Sequence, residues 1–478
     1  MTSLASNILT TKKLDWQYSA SELFEFFSDL PWAIFLDSAN AQHQDARYDI
    51  IALAPRATLV CNDGLFTLDT YESNSFNLNE QLVVGSEVLQ TNDPFSAIQT
   101  VLDQHFPTAY RSELPFTGGA MGCFSYDLGR HVENIPALAQ RDVDFAELHL
   151  GFYTWALVYD NQAGHWYLSH YQGDTALEQV KLVLEQHIDT QAFEKTFAPN
   201  APFALLSHWQ SQMSQQEYQQ KFERIHHYLH AGDCYQINLT QRFEAQYNGD
   251  EWQAYLKLRA SNQAPFSSFI RLPTSAILSI SPERFIHLDD GQIQTKPIKG
   301  TLRRHTDDKL DQQAAETLRC SEKDRAENLM IVDLLRNDIG KVAKAGSVAV
   351  PHLFEIESFP AVHHLVSTIT ATLAPKFQAC DLLKAAFPGG SITGAPKVRA
   401  MEIIEELEPS RRNIYCGSIG YISQDGKMDT SITIRTLLAT EGKLYCSAGG
   451  GIVADSEMEA EYQESYDKVN KILPVLTQ

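Results

Sequence analysis

An α+β fold built on antiparallel sheets is the class this sequence predicts, and three observations carry it. Short apolar runs bounded by turn residues crowd the first 170 residues. After a helical run from Ser214 to His230, the chain reads strand, strand, helix, strand, helix, strand, strand, helix. That order lacks the steady alternation of a parallel doubly wound sheet. Finally, Gly417–Ile422, Ser431–Leu437 and Lys443–Ser447 follow in quick succession, the pattern of an antiparallel meander.

Trp32–Ser38, Tyr48–Ala54, Leu65–Leu68 and Gly151–Tyr159 are the first expected strands. Gly118, Gly119 and Gly122, ahead of Ser125–Arg130, predict a close backbone approach. Residues 171 to about 212 are polar, carry Pro199 and Pro202, and read as a connection. The expected organisation is a strand-rich domain over 1–195 and a second domain over 210–478, in keeping with a length beyond the usual single core. Ser275–Ile280 reads as a strand ending at Ser281-Pro-Glu283-Arg-Phe285, and the next ends at Lys299 before the turn at Gly300. Lys323–Leu335 reads as a buried helix, apolar on nearly every side. Phe387–Lys397 and Ala448–Ile452 are Gly-rich loops leading into helices. Pro396 suits a first helical turn, and Ser456 is a candidate N-cap.

Composition narrows the function classes. A formal charge of −22 argues against a broad basic face for nucleic acid. No apolar run is long enough for a membrane span, and Met1–Ser6 leads into no signal-peptide core. Seven scattered cysteines without a Cys-x-x-Cys pair indicate reduced thiols and a cytoplasmic setting.

Lys299 is the first candidate for chemistry, because a desolvated lysine amine beside a second positive charge can act as a nucleophile. Asp324 and Glu327 share one face of a helix opening, where they equally suit the positive end of the helix dipole. Glu461, Glu464 and Lys468 share one side of the last helix. Four such acids, two from each helix, could hold Mg²⁺. Arg435, placed mid-strand, could grip a carboxylate of protein or substrate. Phe387–Lys397 departs from a nucleotide-binding loop, since Ala rather than Lys follows Gly394. His363 and His364 would face opposite ways on a strand.

These segments resemble the chorismate-utilising enzymes: Gly232–Thr240, Ser281–Phe285, Pro297–Thr301, Asp324–Asn328, Asp333–Asp338, Phe387–Lys397, and Gly449–Val453 through Glu461 and Glu464. The likeness spans roughly residues 210–475, the chorismate-binding catalytic part; residues 1–195 are similar to the leading domain of anthranilate synthase large subunits. The resemblance implies a four-layer α/β/β/α fold, two packed antiparallel sheets with outer helices. It implies Mg²⁺ at Asp324, Glu327, Glu461 and Glu464, with Glu327 and Glu464 as direct ligands and Asp324 acting through water. It further implies a chorismate pocket lined by Gly300, Thr301, Thr393, Tyr415, Arg435, Gly449, Gly450, Gly451 and Lys468, with His364 facing the ring. Anthranilate synthases carry Ala at the position of Lys299. Isochorismate and salicylate synthases carry Lys at the position of Gln236. Both departures point to the branch that aminates chorismate at C4.

In that chemistry Lys299 would add to C2 while Glu283, as general acid, protonates the leaving C4 hydroxyl. Ammonia would then displace the lysine, and the product would serve p-aminobenzoate and folate synthesis. No Gly-x-Cys-x-Gly elbow is present, so ammonia is expected from a separate glutamine amidotransferase subunit. The family's tryptophan pocket maps to Ser38, Asp45, Ala46, Arg47, Tyr48, Pro265, Phe266 and Ser267. The chain reads Phe35-Leu-Asp-Ser38 where inhibited enzymes have Leu-Leu-Glu-Ser, so a structural pocket is expected. The rival readings are an anthranilate or isochorismate synthase, a lysine Schiff-base lyase, and a tryptophan-binding regulatory protein without turnover.

Overall fold

Two antiparallel sheets stack face to face in the computed structural model, which describes residues 8–72, 78, 82–197, 201–358 and 362–477. Met1–Ser6, Pro199 and Pro360–Ala361, all used in the sequence reading, lie outside those residues. The first sheet runs Thr10–Leu14, His165–His170, Trp155–Asp160, Tyr48–Ala52, Ile34–Asp37, Phe266–Arg271, Ser275–Ser281, Thr436–Thr440, Lys443–Ile452, Gln236–Asn248, Ala204–Leu205. The second runs Ile298–Arg303, Val362–Thr372, Gln292–Thr295, Arg284–Asp289, Met428–Ile432, Ser418–Ser423, Gly119–Phe124, Leu148–Tyr153, Ala57–Asn62, Leu65–Tyr71, Val83–Leu89. Each sheet takes strands from both sides of residues 195–210: Ile34–Asp37 pairs with Phe266–Arg271, and Gly119–Phe124 with Ser418–Ser423.

The period-2 pattern of each strand assigns its residues to two layers. Ile34, Ile50, Ile277 and Leu438 of the first sheet meet Met121, Cys123, Ile419 and Tyr421 of the second in the central layer. Phe35, Ile51 and Leu278 point the other way, onto the helices Ala20–Glu25, Asp174–Phe197 and Glu251–Asn262. The second sheet's outer face packs on Pro94–His105, Glu322–Gly340 and Ala379–Ala386. That is the four-layer arrangement. No helix among the described residues is long and apolar enough to cross a membrane.

Several local expectations change. The connection over 171–212 contains a 24-residue helix, Asp174–Phe197. Its Leu177, Val180, Leu184 and Ile188 recur at helical spacing and are buried, a stripe masked by the polar residues between them. Gly151–Tyr159 is not one strand: the chain passes from the second sheet to the first at Thr154. Glu322–Gly340 is buried on one face only, with Leu329 46% exposed, because its other side meets solvent rather than a further layer. Gly449–Gly451 belong to the strand Lys443–Ile452, not to a loop. The last long helix, Met458–Asp467, has Glu457 at its N-cap position without a side-chain cap bond, and the Ser456 hydroxyl donates to Glu461 instead.

Leu184→Ala should lower stability by about 2–5 kcal/mol, whereas Leu182→Ala, on the exposed side of the same helix, should cost under about 0.5 kcal/mol. Thermal denaturation of the two variants measures the difference.

Candidate active site

Two neighbouring strands leave the first sheet for the second at the same level. Ser275–Ser281 pairs with Thr436–Thr440 in the first sheet, and their continuations Arg284–Asp289 and Met428–Ile432 pair in the second. The links lie side by side: the Ile280 N–H donates to the Arg435 carbonyl at 3.1 Å, and the Ile432 N–H to the Glu283 carbonyl at 3.1 Å. Glu283 and Arg435 therefore occupy one seam. Arg435 is not mid-strand; it sits in the bend with φ +52°, a left-handed conformation costly for a residue with a side chain.

Lys299 approaches the seam from the edge strand Ile298–Arg303. The register with Val362–Thr372 shifts between Lys299 and Thr301, a bulge at Gly300, whose φ is +77°. The Lys299 amine turns inward and donates to the Ser391 carbonyl at 3.2 Å. Burial pulls its pKa below the usual lysine range and Lys468 acts in the same direction, against the charges of Glu327, Glu283 and Glu464. Glu283 is buried, and desolvation raises its carboxyl to about 7 despite a hydrogen bond with the Ser391 side chain and the charge of Lys299. Amine and acid thus sense each other in one buried site.

The Thr301 hydroxyl lies 2.8 Å from His364 Nδ1. Burial, with Arg435 adding, drops His364 to about 3, so its ring is neutral near pH 7. His363, its neighbour, reaches Asp311 and Ser358 instead. The Arg435 guanidinium has no hydrogen bond or ion pair among the described residues; burial lowers its pKa and Glu283 opposes that. Thr393 is buried and its hydroxyl donates to the Gly389 and Gly390 carbonyls at 3.1 and 3.3 Å, so it braces its own loop. Tyr415 lies in the core cluster with Phe285, Phe387 and Ile432.

The four acids come from two helices, and Glu327 and Glu464 bear on the lysine. A Cβ on Gly450 would stand 3.0 Å from Glu461 Oε2 and 3.2 Å from Glu464 Oε1, and one on Gly300 would stand 2.8 Å from Asp324 Oδ1. Those glycines are small because carboxylates occupy the space. Burial raises Glu327, and Asp324 and Glu461 raise it further; burial also raises Glu461, with Glu464 adding to it. Such mutual repulsion favours a cation between them. Glu461 Oε2 is buried without a hydrogen-bond partner. Lys468 holds Glu464 Oε1 at 2.6 Å and the Gly449 carbonyl at 2.8 Å, and Lys323 stands 3.8 Å from Glu461 Oε1. Lysines thus partly serve acids whose donor set suits Mg²⁺. Among the described residues, the compact group of mixed metal donors is a different one, Cys61, His131 and Glu147, which satisfy each other by hydrogen bonds.

The tryptophan-pocket positions gather at the ends of the adjacent strands Tyr48–Ala52, Ile34–Asp37 and Phe266–Arg271: Tyr48, Phe266 and Ser267 lie on them, and Ser38, Asp45, Ala46, Arg47 and Pro265 in the flanking segments. Their side chains bind neighbours within the protein: Ser38 with Asn161, Asp45 with Arg284, Arg47 with Asp160, and Ser267 with the Ala264 carbonyl. Ala46 and Pro265 are buried, and the Arg284 guanidinium lies over Phe266 as Arg47 lies over Tyr48. Ser391 is the residue that sequence reasoning passed over; it lay inside a quoted segment, but nothing in its spacing tied it to Lys299 or Glu283.

A family model described as chorismate binding enzyme matches residues 39–474. The chain is 52% identical over 480 residues to "Aminodeoxychorismate synthase component 1" of Escherichia coli (strain K12), covering 100% of each. It is 54% identical over 462 residues to the protein of the same name from Klebsiella aerogenes, covering 96% of this chain and 97% of that one. Anthranilate synthase component I from Streptococcus pneumoniae TIGR4 has a similar structure, with a TM-score of 0.77 at 30% identity over 90% of this chain and 93% of that chain.

Glu461→Gln should weaken Mg²⁺ binding by about tenfold or more, since it removes a charged oxygen donor from the cradle. Isothermal calorimetry of the pure chain with MgCl₂ reads this; unchanged binding would place the cation elsewhere.

Proposed function

The chain belongs to the chorismate-binding enzymes, and from that membership we propose that it performs the reaction for which its E. coli and Klebsiella relatives are named, the synthesis of aminodeoxychorismate. The observation that carries this reading is the inward position of the Lys299 amine, within reach of the charges of Glu283, Glu327, Glu464 and Lys468. By the resemblance, anthranilate synthases carry Ala at that place, and isochorismate synthases carry a lysine where this chain has Gln236.

The proton count of the pair arms both groups together. An ammonium beside a carboxylate holds as many protons as an amine beside a carboxylic acid. Burial penalises both charged forms, so it drives the pair toward the neutral one, which supplies the nucleophile and the acid at once. The Lys299 nitrogen bonds to C2 as both ring double bonds shift by one position and the C4–oxygen bond breaks; Glu283 gives its proton and water leaves. Ammonia then bonds to C4, both double bonds shift back, and the bond from C2 to Lys299 breaks. The proton shed by the entering ammonia restores Glu283.

Arg435, which has no hydrogen bond or ion pair among the described residues, takes a substrate carboxylate. His364, held by Thr301, offers a neutral ring to the substrate. Bound among Glu327, Glu461, Glu464 and Asp324, Mg²⁺ would supply the positive charge that lets a dicarboxylate lie against four acids. Ammonia comes from a second component, in keeping with the relatives' names. All seven thiols are pushed up, by burial or, for Cys320, by its bond to Glu316, so none is a primed thiolate for glutamine hydrolysis.

The deciding experiment incubates the pure chain with chorismate, MgCl₂ and ammonium and weighs the product; an ortho-aminated aromatic product or isochorismate would overturn the reading. Lys299→Ala should cut amination roughly a thousandfold or more, with no protein adduct by mass spectrometry. Glu283 must be protonated to act, so turnover should fall as pH rises through the region of its raised pKa, about 7. Glu283→Gln should remove that limb and lower the rate by about 10²–10⁴.

A further inference from the structure

One residue touches both reacting groups. Ser391 lies in the short turn Gly390–Ile392, is buried, and takes the Lys299 amine on its carbonyl oxygen at 3.2 Å. Its side chain is hydrogen-bonded to the Glu283 carboxyl. We propose that Ser391 is a positioning residue for the reaction, its carbonyl setting the direction of the Lys299 amine and its hydroxyl fixing the carboxyl of Glu283.

The turn is built to hold still. Arg412, buried and paired with Glu408 at 2.7 Å, donates to the Ile392 carbonyl at 2.9 Å and the Asn238 carbonyl at 3.2 Å. The Asn238 N–H in turn donates to the Thr393 carbonyl at 2.9 Å, and the Thr393 hydroxyl closes the turn from within. Ser391 is thereby clamped on both sides, and neither reacting group can drift without breaking a bond to it. With one N–H of a neutral amine on a carbonyl, the nitrogen lone pair is turned away from that carbonyl. With one carboxyl oxygen on a hydroxyl, the acid's proton is left to the other oxygen.

Besides Ser391, the groups that act on Glu283 are Lys299, the Ile298 backbone N–H, Lys468, Arg435 and Cys416. None is altered by replacing Ser391. A hydroxyl that donates to a carboxylate favours its charged form, so removing it raises the carboxyl's pKa and moves the alkaline limb of the rate profile upward.

This inference rests on the aminating reading above, and the wild-type chain is assayed first: no amino product there fails that reading and leaves the geometry of Ser391 to the second measurement below. Ser391→Ala should lower kcat about ten- to a hundredfold, with KM for chorismate changed less than about threefold, and shift the alkaline limb to higher pH. Ser391→Thr, which keeps the hydroxyl, should restore both. The second measurement needs no turnover. Infrared difference titration, with the Glu283 band assigned by its loss in Glu283→Gln, should show that carboxyl titrating higher in Ser391→Ala than in the wild type. Coincident titrations, or an Ala variant with the wild-type limb, would overturn the proposal.

Discussion

Everything in the site depends on two paired strands changing sheets at one level. A strand inside a sheet has its side chains committed to one layer or the other. At the passage the commitment lapses, and Glu283 and Arg435 are released into the gap between the diverging sheets. The backbone there is still tied by the bonds Ile280 to Arg435 and Ile432 to Glu283, so the released side chains stay on a rigid frame. Burying an acid and a base this way is costly unless each meets opposite charge. Lys299 meets Glu283, whereas Arg435 has no hydrogen bond or ion pair among the described residues and feels the charge of Glu283, a demand that a carboxylate ligand would satisfy.

Charge balance explains the rest of the inventory. Five acids, Glu283, Asp324, Glu327, Glu461 and Glu464, face Lys299, Lys323, Lys468 and Arg435. The site is close to neutral without ligand, and Lys468 and Lys323 lean on Glu464 and Glu461. A dicarboxylate adds two negative charges, which four acids at its edge would repel. A divalent cation cancels that addition. The −22 overall charge is no obstacle, because at distances beyond about 10 Å it is screened, while these groups act through a few ångströms of protein.

What the chain discloses by itself is local. Lys299, Glu283, the helix acids and the glycines could be marked because each lies in a short segment with unusual chemistry. Their convergence could not be read, since residues 283, 299, 327, 391, 435 and 464 meet only through sheet topology. Arg435 shows the limit well: Ser431–Leu437 alternates like a strand, and nothing in that alternation reveals that it crosses between sheets. Gly151–Tyr159 misleads for the same reason at Thr154. The helix Asp174–Phe197 is a different failure, a readable stripe of Leu177, Val180, Leu184 and Ile188 hidden by low average apolarity. The family resemblance supplied the four-layer fold, which periodicity alone left at α+β.

The bulge at Gly300 joins Lys299 to the acids of the helix Glu322–Gly340. Lys299 and Thr301 both keep partners on Val362–Thr372, so the extra residue between them must buckle out of the ladder. Gly300 buckles toward the helix Glu322–Gly340, and its missing Cβ is what lets Asp324 stand where it does. On one side of this single residue is the amine; on the other, Thr301 holds His364. A Cβ at 300 would stand 2.8 Å from Asp324 Oδ1 and 2.8 Å from Leu318 Cδ1, so any larger residue there must displace side chains of both Asp308–Cys320 and Glu322–Gly340.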